Sequence, residues 1–102
     1  MNSRFHDAAD AELTEAVAYY DGKAPGLGDR FLSEIKAATW YIEQYPEIAP
    51  VIDLGVRAKV LSSFPYSLMY AVEPQHLFIV AVAHDSKRPG YWADRIPQRP
   101  GG

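Results

Sequence analysis

Leu77-Phe78-Ile79-Val80-Ala81-Val82-Ala83-His84 decides how this chain folds. Every position from Leu77 to Ala83 is apolar, which predicts a central strand with both faces covered. Immediately upstream, Phe64, Tyr66, Leu68, Tyr70 and Val72 fall on one side of a second strand. Glu73 to His76 makes the turn between the two, so they form a hairpin. Before these, Val56, Ala58 and Val60 alternate with Arg57, Lys59 and Leu61, a strand with a charged face.

Further towards the N-terminus the period lengthens to that of helices. Phe31, Ile35, Ala38 and Ile42 follow Leu27 at helical spacing, and Pro46 marks the end, because proline disfavours helical backbone in the residue before it. Ala9, Leu13, Ala16, Val17 and Tyr20 trace the stripe of an earlier helix. Asp7 is its expected N-cap, Asp10 and Glu12 are expected in its first turn, and Gly22 with Pro25 is its stop. Phe5 is assigned to a short first strand. The short link makes the two helices an antiparallel hairpin. The fold expected is therefore α+β, an N-terminal helical hairpin packed on a small, mainly antiparallel sheet. Leu13, Val17, Phe31, Ile35, Ile42, Leu68, Tyr70, Ile79 and Ala81 are expected to share one core. A hairpin covers only one face of that sheet, so either the C-terminal segment or a partner chain should lie over part of the other.

At 102 residues and 48% hydrophobic side chains, the chain has the size of one domain, assigned to residues 1–95 with a flexible tail over 96–102. It has no cysteine, so neither disulfides nor thiolates hold it, which suits a reducing cytoplasm. The longest apolar run is far short of the roughly 20 residues of a membrane span. The net charge of −3 excludes a generally basic nucleic-acid binder. The charge is nevertheless uneven: residues 1–53 carry four cations and ten carboxylates, and residues 54–102 carry six and three. The second half can therefore present a local basic surface to an anionic partner.

No glycine-rich phosphate loop or nucleophile elbow occurs, and His6, His76 and His84 are too scattered for a metal site, so no metal or cofactor is expected. What remains is a polar set: Arg57 and Lys59 on one strand, and His84, Lys87, Arg88, Tyr91 and Arg95 after the last. Guanidinium groups bind phosphate in bidentate fashion, and His or Tyr can serve as acid or base in cleaving a ribose phosphate linkage. Each also has a plain structural reading. Arg57 and Lys59 suit the solvated side of a strand, His84 a backbone hydrogen bond at a strand end, and Tyr91 and Trp92 the packing of the C-terminal segment onto the sheet.

Tyr19-Tyr20, Pro25 to Phe31, Gly55-Val56-Arg57, Phe64-Pro65-Tyr66 with Tyr70, Ala81 to His84, and Arg88-Pro89-Gly90-Tyr91-Trp92 through Arg95, taken in that order, resemble the RelE/ParE toxin superfamily. The resemblance implies the toxin of a type II toxin–antitoxin module, wrapped and suppressed by a cognate antitoxin in a hetero-oligomer. It leaves the target open: RelE-like members cleave messenger RNA on the ribosome, whereas ParE-like members inhibit DNA gyrase. A nuclease of this kind would use Arg57, Lys59, His84, Arg88 and Tyr91. The further arginine that such nucleases carry after the Phe64-Pro65-Tyr66 turn has Ser67, or its neighbour Leu68, as its counterpart here. With the long helical hairpin and the acidic balance, this favours a ParE-like toxin acting on gyrase without nuclease chemistry. The alternatives are a RelE-like ribosome-dependent endonuclease and a degenerate member retaining only antitoxin binding. Arg57, Lys59, Lys87, Arg88, Trp92 and Arg95 are expected to form the partner-binding surface, one suited to an acidic amphipathic segment.

Overall fold

The computed structural model describes residues 1–97. Strand β1 (Asn2–Phe5) leads into helices α1 (Asp7–Lys23) and α2 (Leu27–Gln44). Strands β2 (Val51–Asp53), β3 (Val56–Val60), β4 (Tyr66–Val72) and β5 (His76–His84) follow, and a 3-10 turn, Ala93–Arg95, closes the described chain. The five strands form one sheet in the order β1-β5-β4-β3-β2. All neighbours are antiparallel except β1, which runs parallel to β5, so the apolar 77–83 run does lie inside the sheet. No helix among the described residues is long and apolar enough to cross a membrane.

Helix α2 follows its sequence stripe: Phe31, Ile35, Ala38 and Ile42 are buried against Leu68, Tyr70, Leu77, Ile79 and Val82. Helix α1 fits less tightly. It buries Ala9 and Ala16, whereas Leu13, Val17 and Tyr20 only half-bury against the same core. The residue that caps α1 is His6 rather than Asp7: His6 is extended, and its Nδ1 accepts from the Ala8 N–H at 3.0 Å. Asp7 already belongs to the helix, where its charge favours the positive end of the helix dipole. The two helices meet closely at Gly28. Its N–H donates to Asp21 Oδ1 at 2.9 Å, and a Cβ there would lie 2.6 Å from the Val17 carbonyl oxygen. Only glycine fits that approach.

The core expectation fails at Ala81. The β4–β5 register pairs Met69 with Ala81 but Tyr70 with Ile79, leaving Val80 as an extra residue on β5. Such a bulge breaks the alternation of side chains along a strand. Leu77 and Ile79 therefore face the helices before it and Val82 after it, while Val80, Ala81 and Ala83 join a second cluster on the opposite face with Val56 and Trp92. Met69, Phe78, Tyr91, Ala93 and Ile96 pack partly against this second cluster. The C-terminal segment thus supplies part of the cover that the continuous apolar run of β5 requires. Ile96, placed at the start of the expected tail, belongs to that cover; residues 98–102 of the tail lie outside the described residues.

Candidate functional site

The residues singled out after β5 are set by the way the chain turns back. The Asp85 N–H donates to the Pro65 carbonyl at 2.9 Å and the Lys87 N–H to the His84 carbonyl at 3.0 Å. Gly90, at φ 75°, then reverses the backbone so that Trp92 lands on the second sheet face, 2% exposed. His84 sits at the start of this turn. Its Nδ1 accepts from the Ser86 N–H at 3.0 Å and lies 2.7 Å from Ser86 Oγ, and its ring meets the Tyr66 ring edge-on at 5.0 Å. The strand-end role is the one this geometry displays, the ring binding the backbone and side chain of Ser86.

Glu12 holds the returning segment in place. Strand β1 pairs with β5 only from His76 to Ile79, so the rest of that edge of β5 has no neighbouring strand. Side chains take over the role of one. Glu12 Oε1 accepts from the Val82 N–H at 3.1 Å, and Arg95 Nη1 donates to the Val80 carbonyl at 3.1 Å. Arg95 also binds both Glu12 oxygens, at 2.8 and 3.1 Å, and the Tyr91 hydroxyl donates to Oε2 at 2.7 Å. Burial alone would push the Glu12 carboxyl up. The hydrogen bonds from Arg95, Tyr91 and Val82, with the Arg95 charge, outweigh it and hold the carboxyl below its ordinary value. Burial and the same carboxylate push the Tyr91 phenol well above the usual tyrosine range. Arg95 is likewise held charged, first by its hydrogen bond to Glu12.

This hub was missed in the sequence, which set Glu12 in the first turn as a dipole partner; it stands one turn later. The signal was present. Glu12 lies three residues after Ala9 and four before Ala16, on the stripe that α1 buries, and a carboxylate there requires a cation.

The expected polar set does not gather at one place. Arg57 and Lys59 lie on the side of β3 that faces α2 rather than on a solvated face. Arg57 Nη1 donates to the Glu47 and Ala49 carbonyls at 3.0 and 2.6 Å, fastening the link after α2, and Lys59 Nζ stands 5.5 Å from the Tyr41 ring centre. Tyr91 and Arg95 are committed to Glu12, and Trp92 is buried. Lys87 and Arg88 remain exposed and form no ion pair among the described residues, although Lys87 Nζ lies 5.6 Å from the Tyr91 ring centre. Two cavities meet at His84. One, about 430 Å³, opens on the second face between Met69, Ala83, Arg88, Trp92 and the β2 residues Ile52 and Asp53. The other, about 420 Å³, opens beside α1 between Glu12, Glu15, Tyr19, Tyr66 and Val82. Ser67 is buried on the second-face side, paired across strands with Val60 and Ala83.

Chemically, this arrangement offers two exposed cations lining a cavity of mixed character, beside a phenol that cannot act as a base near neutrality. It suits binding more readily than phosphate cleavage. The comparisons with known proteins agree with the architecture. Residues 4–89 match the family described as "ParE toxin of type II toxin-antitoxin system, parDE". A solved structure described as "Chromosomal ParDE TA system from P. aeruginosa" has a chain similar in fold, with a TM-score of 0.66 at 18% identity. That match covers 82% of this chain and 95% of the other. No curated relative matches. With the family match spanning most of the sequence, the chain belongs to the ParE toxins of type II toxin–antitoxin systems.

Proposed function

We propose that this toxin acts by binding DNA gyrase in the cytoplasm, that its cognate antitoxin neutralises it, and that it does not cleave RNA. The observation that carries this reading is the dispersal of the cations. A metal-free nuclease site needs several positive groups converging on one phosphate. Here Arg57 and Lys59 belong to the helix-facing side, Arg95 is neutralised by Glu12, and Ser67 occupies the strand position where a further arginine would stand. Tyr91 is also unsuited to proton abstraction, because Glu12 and burial keep its proton in place.

The test is direct. The purified protein should inhibit DNA supercoiling by gyrase and leave messenger RNA intact on translating ribosomes. Added antitoxin should relieve the inhibition. Ribosome-dependent cleavage that disappears in Arg88→Ala would establish the nuclease alternative instead. Expression that arrests no growth and inhibits no supercoiling would identify a member that has kept only antitoxin binding.

A further inference from the structure

We propose that the uncovered half of the second sheet face is the seat of an apolar antitoxin segment that carries basic residues, an inference resting on the reading of this chain as an antitoxin-bound toxin. The returning C-terminal segment covers β5 and reaches Val56 at the start of β3, but leaves β2 and the far end of β3 open. Ile52, Leu54 and Val60 are left 48%, 61% and 62% exposed. Between the β2–β3 hairpin and the returning segment lie two cavities, one after the other along the segment. The first meets Gly90 to Trp92, and the second, about 770 Å³, meets Ala93, Asp94, Ile96 and Pro97 against Leu54, Gly55 and Ala71. Together they outline a groove rimmed by aliphatic side chains, the form in which extended or helical segments are commonly received.

Leu54 adds an independent observation. With Gly55 it makes the two-residue turn between β2 and β3, at φ 50° and 76°. Both positions call for the left-handed region, which is why Asn-Gly is the favoured pair in such turns. A leucine there costs roughly 1 kcal/mol of backbone energy, and its side chain recovers little by packing, being largely exposed. It stands on the groove rim, where a partner can bury it.

Charge selects the occupant. Asp53 and Asp85 line the first cavity with Lys87 and Arg88, and Glu73 and Asp94 line the second, which has no lysine or arginine among the described residues. Glu73 is partly answered by His76 at 3.1 Å. Four carboxylates against two lysine or arginine side chains disfavour the acidic segment that the chain's basic second half suggests. They suit a segment whose basic residues reach the Glu73 and Asp94 end, with at most an acid near Arg88.

The experiment titrates separately purified toxin variants with the antitoxin encoded beside the toxin gene. Leu54→Asn should melt at a higher temperature than the parent, because asparagine suits the turn, and yet bind the antitoxin about tenfold more weakly. A merely structural residue would move both in the same direction. Asp94→Lys should slow association at low salt, with the difference shrinking as salt rises. Trp40→Ala, on the exposed side of α2, should bind as the parent does. Unchanged affinity in Leu54→Asn, or faster association in Asp94→Lys, overturns the proposal while the antitoxin still binds the parent. Failure of the parent itself to bind overturns the underlying reading as well, and is told apart by that result. A parent that sediments as a dimer, dissociated by Leu54→Asn, would make a second copy the occupant and also overturn it.

Discussion

The two faces of the sheet are closed by different means. On one, two helices bury Phe31, Ile35, Ile42, Leu68, Tyr70 and Ile79 in a cluster that the helical stripes announce. On the other, a few residues after β5 lay Trp92 over Val80, Ala81 and Ala83, and one carboxylate on α1 anchors them. The first face relies on repeated local pattern, and the second on a contact between residues 12 and 95. A face closed in the second way can remain half open, and the exposed aliphatic rim of β2 and β3 is what remains.

The sharpest test of this contrast is at the centre of each cluster. Phe31→Ala should lower unfolding free energy by about 3–5 kcal/mol through lost burial and a residual cavity, measured by urea denaturation. Trp92→Ala should cost about 3 kcal/mol, at the lower end of that range, because the segment around it can settle on the sheet. A loss under about 0.5 kcal/mol for Trp92→Ala would mean that the second cluster is no core at all.

Next in size is the anchor. Glu12→Gln should cost about 2 kcal/mol at neutral pH, since it weakens hydrogen bonds to a charged partner and leaves Arg95 less well satisfied. The Glu12 carboxyl is held below its unfolded value, so its stabilisation is complete above the ordinary carboxylate range, near pH ~4.3, and lost as pH falls through the folded value. The parent should therefore lose stability on that acid limb more steeply than Glu12→Gln does. Parallel acid limbs in the two proteins would show that the anchor adds nothing.

The smallest effects separate the cations. Arg57→Ala should cost about 1–2 kcal/mol, because it strips two carbonyls of their donor beside the α2–β2 link. Arg88→Ala should stay within about 0.5 kcal/mol, as an exposed side chain without intrachain partners among the described residues. Equal costs at the two positions would contradict the division of the basic set between the faces.

Much of the fold was legible because its signals are local. The α2 stripe, the alternation of β4 and the uniformly apolar β5 each lie within one segment, and periodicity reports them without knowledge of partners. Strand β2 was overlooked because it is three residues long and its turn uses Leu54-Gly55 rather than a customary turn pair. The polar set was legible as residue types but not as a place. Alternation puts Arg57 and Lys59 on one side of their strand, and nothing in the sequence says that this side faces α2.

By itself, the sequence determined the order of elements, the central position of β5, the need for cover on its second face, and an assortment of residues resembling the RelE/ParE toxins. Tertiary structure alone decided the rest. A single extra residue at Val80 reversed which side chains of β5 face the helices, and a bulge depends on the partner strand as much as on its own residues. Glu12, Tyr91 and Arg95 became one unit only when α1 and the C-terminal segment met at the open edge of β5. Their coupling spans more than 80 residues of chain, and hydrogen bonds at that separation leave no period in a sequence.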